Sequence, residues 1–280
     1  FVLTNRCHIS GRIASSKSFY HLPFFINYNR LMQAVILLAG YGSRLGRDDI
    51  PHKSLLPFDD ETLLSRHLAC LDSLGVSCVF LVVGHNKEHV KLYVEGLNLG
   101  LECKFIDNDL YRTTGNTLSM VMGLRYCSED VVILDGDVLY PKSEFCKYVK
   151  NSEPTSFASI PSDINDTEST KVLIRSDGKI GMFVTKRDPT LEEKADFDFR
   201  GEAIGFFKLS AEDCKKFIAH YEKFESEYVE LLWEIPFTEF AKSVDLSVWL
   251  VAQGPDCFEI DTEADYEQAL SSFQKYKNSY

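Results

Sequence analysis

Three short, uninterrupted apolar runs constrain this chain more than any other feature. Ala34-Val35-Ile36-Leu37-Leu38, Val79-Phe80-Leu81-Val82-Val83 and Val131-Val132-Ile133-Leu134 have no polar residue on either side of the pleat, and each is followed within two residues by glycine. A strand apolar on both faces must be covered on both faces, as in a parallel sheet between two helix layers. The intervening segments supply the helices. Leu63-Leu64, His67-Leu68 and Leu71 recur at helical spacing before Gly75, a polar helix runs through Val90 and Tyr93, and Leu118, Val121-Met122 and Leu124 mark a third. Phe105-Ile106 reads as a short strand between the last two. Repeated strand–helix–strand units predict an α/β fold with a mixed, mainly parallel sheet, right-handed crossovers and helices on both faces.

The texture changes past residue 155. Val172-Leu173-Ile174 and Ile180-Gly181-Met182-Phe183-Val184 flank Asp177-Gly178, the signature of a hairpin. Strands follow at Ala203–Phe207, Leu246–Val251 and Phe258–Ile260, with helices at Cys214–Tyr221 and Tyr228–Phe240, the latter interrupted by Pro236. Thr262 caps a closing helix through Tyr266 and Leu270. With no repeat or linker, residues 32–280 are expected to form a single domain, and the second half extends the same sheet.

Charge and cysteine usage narrow the partners. Thirty Lys and Arg against 42 Asp and Glu give a net charge of −12, without a basic stripe, which excludes a nucleic-acid polymer as the expected partner. No run approaches the ~18 apolar residues of a membrane span. The eight cysteines form no Cys-x-x-Cys pair, a pattern that suits the reducing cytoplasm and argues against zinc. Residues 1–31 read as an N-terminal extension: acid-free, with Arg6, Arg12, Lys17 and Arg30 among serines, like an organellar transit segment. A fragment boundary, an expression scar and translation from the wrong start are the competing readings.

Chemistry concentrates at strand ends. Leu38-Ala39-Gly40-Tyr41-Gly42-Ser43-Arg44-Leu45-Gly46 follows the first strand, where open α/β sheets bind ligands and where glycines let backbone N–H groups close round a phosphate. Neither the dinucleotide fingerprint nor the P-loop is present, since Leu45 stands where a third glycine belongs and no Gly-Lys-Ser/Thr follows. Lys53, between Pro51 and Pro57, could join Arg44 in neutralising a triphosphate. Asp135-Gly136-Asp137 ends another buried strand and could turn two carboxylates to one hard cation, or form a plain turn. Asp261 is a further acid at a strand end, in a segment that also reads as a helix cap. Asn116 and Ser119 share a helix face, where Asn116 could hold a nucleotide or cap the helix. His85 and His89 lack the glutamate of a zinc motif.

Together these residues resemble the nucleotidyltransferases that activate small phosphates. Leu38-Ala39-Gly40-x-Gly42-Ser43-Arg44-Leu45, followed by His52-Lys53-Ser54-Leu55-Leu56-Pro57, is similar to that family's signature. Asn116-x-x-Ser119, Asp135-x-Asp137 and Glu259-Ile260-Asp261-Thr262 resemble the branch acting on phosphocholine or 2-aminoethylphosphonate, and Gly201-Glu202-x-Ile204-Gly205 the phosphonate members. Tyr41 departs from the pattern, standing where the family usually has a small residue.

The resemblance implies a Rossmann-like, nucleotide-diphospho-sugar transferase-like fold, with a nucleotide half over 32–150 and an acceptor half over 151–280. It further implies a Mg²⁺-dependent transfer of CMP from CTP. Arg44 and Lys53 would be catalytic, and Leu38, Ala39, Gly40, Gly42, Ser43, Asn116, Ser119 and Asp135 would hold the nucleotide. Asp137 and Asp261 would hold Mg²⁺. Glu202, Tyr228, Glu230 and Trp233 are the acceptor candidates, the last three on or near one helix face with Glu234, although aromatics at that spacing also serve as core. A sugar 1-phosphate is the alternative acceptor and a non-catalytic nucleotide-binding regulator the alternative class; a homodimer is compatible with either.

Overall fold

The computed structural model describes residues 31–47, 49–251 and 256–280; the N-terminal extension up to residue 30 lies outside them. Strand β1 (Met32–Leu38) runs through the centre of the molecule. A single 3-10 turn (Lys53–Leu55) and the small hairpin of β2 (Pro57–Phe58) and β3 (Glu61–Thr62) lead into α1 (Leu63–Ser73). Thr62 and Ser65 cap α1 reciprocally, each hydroxyl accepting the other's backbone N–H. Gly75, at φ +73°, turns the chain out of the helix.

Next come β4 (Cys78–Val83), α2 (Lys87–Glu95), β5 (Glu102–Asp107), α3 (Asn116–Leu124) and β6 (Asp130–Asp135). β4 and β6 pair in parallel with opposite edges of β1, and β5 adds in parallel beyond β4. The two-sided hydrophobicity of β1 has the expected cause. Val35 and Leu37 pack with α3 in one core, while Ala34, Ile36 and Leu38 pack with α1 in the other.

The remaining elements are β7 (Val138–Leu139), α4 (Lys142–Asn151), β8 (Ser156–Ile160), β9 (Thr170–Ile174), β10 (Ile180–Thr185), α5 (Leu191–Asp196) and β11 (Asp198–Leu209). They are followed by α6 (Ala211–Lys223), α7 (Glu225–Tyr228), α8 (Glu234–Phe240), β12 (Ser247–Leu250), β13 (Phe258–Glu259) and α9 (Glu263–Lys275). β11 lies antiparallel against β6, β8 and β9, which joins both halves into one nine-stranded sheet of order β10-β9-β11-β6-β1-β4-β5, with β8 and β12 branching from β11.

Two expectations need correction. The helix expected over Tyr228–Phe240 is broken, because the Val229 and Leu231 carbonyls accept from the Gly115 N–H (2.9 Å) and the Thr117 hydroxyl (2.7 Å) instead of continuing a helix. Pro236 interrupts nothing: it sits in the first turn of α8, where its missing N–H costs no bond.

Candidate active site

β1 has β4 on one edge and β6 on the other, so its C-terminal end is a switch point of the sheet, where loops diverge and leave a crevice. The crevice there measures about 400 Å³. All eight sequence-predicted nucleotide residues line it, as do Arg44, Lys53, Asp137 and Asp261. The glycine loop turns at Gly42 (φ +64°) and Gly46 (φ +67°), conformations that side chains resist. Leu45 anchors the loop by burying itself with Ile260 and Tyr266.

His52 fixes the second segment to the first. Its Nε2 donates to the Leu38 carbonyl at 3.0 Å while Nδ1 accepts the Ser54 N–H at 3.2 Å. Burial pushes its pKa down to about 4, so the imidazole stays neutral and keeps that tautomer. Lys53 is thereby held at the crevice floor, its Cβ 3.4 Å from where a Cβ on Gly42 would lie.

The Lys53 ammonium donates to Asp137 Oδ2 at 2.8 Å and to Asp261 Oδ1 at 2.7 Å. Arg44, more than half exposed, reaches the other Asp261 oxygen at 2.5 Å. Burial opposes the charge on Lys53, but the two carboxylates prevail and raise its pKa. Burial likewise opposes ionisation of Asp261, and Lys53 and Arg44 overcome it, lowering its pKa. Both groups are therefore ionised at neutral pH.

Glu259 completes the group: its carboxylate and those of Asp137 and Asp261 lie within 4.8 Å of one another. Burial, reinforced by Asp137 and Asp261, pushes Glu259 up to about 8. Asp137 Oδ1 is buried without a hydrogen-bond partner. An all-oxygen donor set with an orphaned oxygen fits a hard divalent cation.

Asp135 lies half-buried beside this cluster in the crevice wall. Burial first, then Asp137, Glu259 and Glu234, raise its pKa. Its Oδ2 lies 3.5 Å from Trp233 Nε1, and a Cβ on Gly205 of β11 would come 2.7 Å from the same oxygen, so the glycine leaves the space this carboxylate fills. Asn116 is not a cap. It is the first residue of α3, Gly115 holds the cap position, and the Asn116 side-chain Oδ1 accepts the Trp233 backbone N–H at 2.9 Å. The Ser119 hydroxyl accepts from Asn108 at 2.9 Å.

The acceptor candidates fall elsewhere, and none of the four lines the crevice. Trp233 is 3% exposed among Phe157, Phe183 and Phe207, and Tyr228 is 6% exposed against His220 and Phe224. Their aromatic surface is used up in the core beneath α6 and α8, which corrects the expectation of a shared binding face. Glu230 is exposed in the turn between α7 and α8. Glu202 sits half-buried on β11, its pKa pushed up to about 7 by burial and then by Asp166. Sequence reasoning passed over Glu259 and His52 as site residues; Glu234, named with the acceptor candidates, also lies outside the crevice lining. Glu234 is buried with Oε2 unpartnered and Oε1 accepting from Thr170 at 3.3 Å.

Comparison with known proteins agrees with this geometry. Residues 34–166 match the MobA-like NTP transferase domain. The CMP-5'-(3-aminopropyl)phosphonate synthase of Streptomyces rubellomurinus is 30% identical over 157 residues, 56% of this chain and 25% of that protein. The bifunctional protein GlmU of Buchnera aphidicola is 24% identical over 204 residues, 71% of this chain and 43% of its own length. The chain thus spans less than half of these curated relatives. Among solved structures, the CTP:phosphocholine cytidylyltransferase LicC of Streptococcus pneumoniae superposes with a TM-score of 0.66 at 21% identity, covering 86% of this chain and 98% of that one. The inositol-1-phosphate CTP transferase of T. maritima gives 0.67 at 20% identity, covering 88% and 97%. The sheet order and the glycine loop are in keeping with the match of residues 34–166 to the MobA-like NTP transferase domain.

Proposed function

We propose that the chain is a Mg²⁺-dependent cytidylyltransferase that moves CMP from CTP to a small phosphate or phosphonate bearing an amine, such as 2-aminoethylphosphonate or phosphocholine. The observation that carries this reading is the Lys53 ammonium seated between Asp137 and Asp261 on the floor of the glycine-loop crevice. A phosphonate oxygen is anionic at neutral pH and needs no general base. Its lone pair forms the new bond to the α-phosphorus while the bond to the pyrophosphate oxygen breaks, and that oxygen leaves with the electron pair. Alignment and charge neutralisation are what the protein must supply. Lys53 and Arg44 neutralise the departing pyrophosphate; the glycine loop and Asn116 hold the nucleoside. Asp137 and Asp261, with Glu259 beside them, would hold Mg²⁺, which would supply further charge neutralisation.

The buried Glu234 carboxylate, which lies outside the cation group, supports a cationic acceptor, because its Oε2 has no donor of its own. Residues 32–150 serve the nucleotide in this reading, and 151–280 supply the acceptor side and the second cation ligand. A cytoplasmic homodimer is the corresponding form; the seven described cysteines are all free, as a reducing compartment would keep them. No described helix is long and apolar enough to cross a membrane.

Pyrophosphate release from each of four NTPs, with 2-aminoethylphosphonate, phosphocholine or a sugar 1-phosphate as acceptor, tests the reading. Turnover is expected with CTP and an amine-bearing acceptor, and only with Mg²⁺ present. A sugar 1-phosphate as acceptor is the second reading, and turnover of that acceptor alone would establish it. CTP binding without any product would instead indicate a non-catalytic regulator.

A further inference from the structure

The loop between β5 and α3 brings Tyr111 into the crevice wall and leaves Arg112 exposed at the rim. The Arg112 guanidinium lies 5.5 Å from the centre of the Tyr41 ring and 5.4 Å from that of Tyr111. Its Nε donates to the Tyr111 hydroxyl at 3.1 Å. Tyr41 in turn packs against His85 with ring centres 4.3 Å apart. Among the described residues, neither terminal nitrogen of Arg112 has a hydrogen-bond partner, and no carboxylate lies within ion-pair distance of it. A guanidinium steadied by two rings, with both outer nitrogens unused, presents a planar pair of donors to whatever enters beside it.

The crevice lining has two characters. Lys53, Asp137 and Asp261 meet as one charged group, while Tyr41 and Tyr111, gathered around Arg112, form a neutral aromatic one. A nucleotide whose phosphates lie at Lys53 therefore has its base at the Tyr41–Tyr111 rim.

Resting on the cytidylyltransferase reading above, we infer that Arg112 is the residue that distinguishes cytosine from uracil. Cytosine offers two adjacent acceptors, N3 and O2, which match the two terminal donors of Arg112. Uracil carries a proton on N3, so the same fork meets a donor there and loses one of its two bonds. Tyr41, the departure from the family pattern, gives the guanidinium its seat and the base a ring to lie against.

The test compares wild type with Arg112→Ala and Arg112→Lys, measuring kcat/KM for CTP and UTP by pyrophosphate release and nucleotide affinity by calorimetry without acceptor. Arg112 is exposed on a turn, and thermal unfolding will verify that both variants fold. In both, the CTP-to-UTP ratio is expected to fall about tenfold or more, through loss on CTP with little change on UTP. Lysine keeps the charge but not the fork, so an unchanged ratio in Arg112→Lys would overturn the inference. An equal loss on CTP and UTP would overturn it too, showing attraction for phosphate and leaving the cytidylyltransferase reading intact. A wild type without preference for CTP would overturn that reading and the inference with it.

Discussion

Replacing Lys53 by methionine keeps most of the side-chain volume and removes the ammonium. That ammonium satisfies Asp137 and Asp261 at 2.8 and 2.7 Å from a side chain 9% exposed. Breaking a buried pair by deleting one partner costs ~3–5 kcal/mol. Here the carboxylate side chains keep 25% and 28% of their exposure, and Asp261 retains Arg44, so the stability loss should lie nearer ~2–3 kcal/mol. The catalytic loss has a separate origin. Removing one preorganised donor from developing charge lowers kcat by ~10²–10³.

The two effects part company in magnesium. Lys53 occupies carboxylate oxygens that a divalent cation would use, so the cation should stabilise Lys53→Met more than wild type. Saturation a hundredfold above Kd contributes ~2.7 kcal/mol, enough to restore most of the lost stability. The assay is kcat of pyrophosphate release at saturating substrates, beside thermal unfolding with and without magnesium. Near-normal kcat in the folded variant would refute the role of Lys53 at the leaving group. Equal magnesium stabilisation of both proteins would refute the competition for carboxylates.

Gly136→Ala should lose ~1–3 kcal/mol by urea unfolding and at least ~10-fold in kcat, because the new Cβ would lie 2.8 Å from the Leu37 carbonyl and push Asp135 and Asp137 off station. Trp233→Phe keeps the ring in its aromatic core but removes the donor to Asp135; calorimetric unfolding should register ~1 kcal/mol, and no change would show that the 3.5 Å contact contributes nothing. Glu202 links stability to pH. Its folded pKa of about 7 lies above its unfolded value, so its contribution is fully present below the unfolded pKa and is lost as pH rises through about 7. Glu202→Gln should flatten that decline in unfolding temperature; an unchanged slope would assign it to another group.

Most of the parallel half was legible because its signals are local. A strand such as Val79–Val83, apolar at every position, has few alternatives to being covered on both faces, and all six residues of β4 are buried. The Asp177-Gly178 turn and the Thr262 cap were equally plain, since a left-handed glycine at φ +80° and a hydroxyl accepting the Asp265 N–H depend on a few neighbours. Glu259 could have been added to the cation group: it stands two residues from Asp261, and that spacing places both on one side of an extended segment. Tyr228 and Trp233 were not legible as core. Their surroundings, Phe157, Phe207 and His220, come from β8, β11 and α6, and no periodicity within one helix reveals such distant neighbours.

The pairing of β7 with β13 has a consequence for how such an enzyme could diversify. Val138 faces Glu259, Leu139 faces Phe258, and the Ile260 N–H donates to the Asp137 carbonyl at 3.0 Å. The gap between the two aspartates is thus set by peptide groups, which every amino acid except proline provides alike. Side chains elsewhere round the crevice can then be exchanged without respacing that pair, so selection can revise what the crevice admits while the two aspartates stay in register.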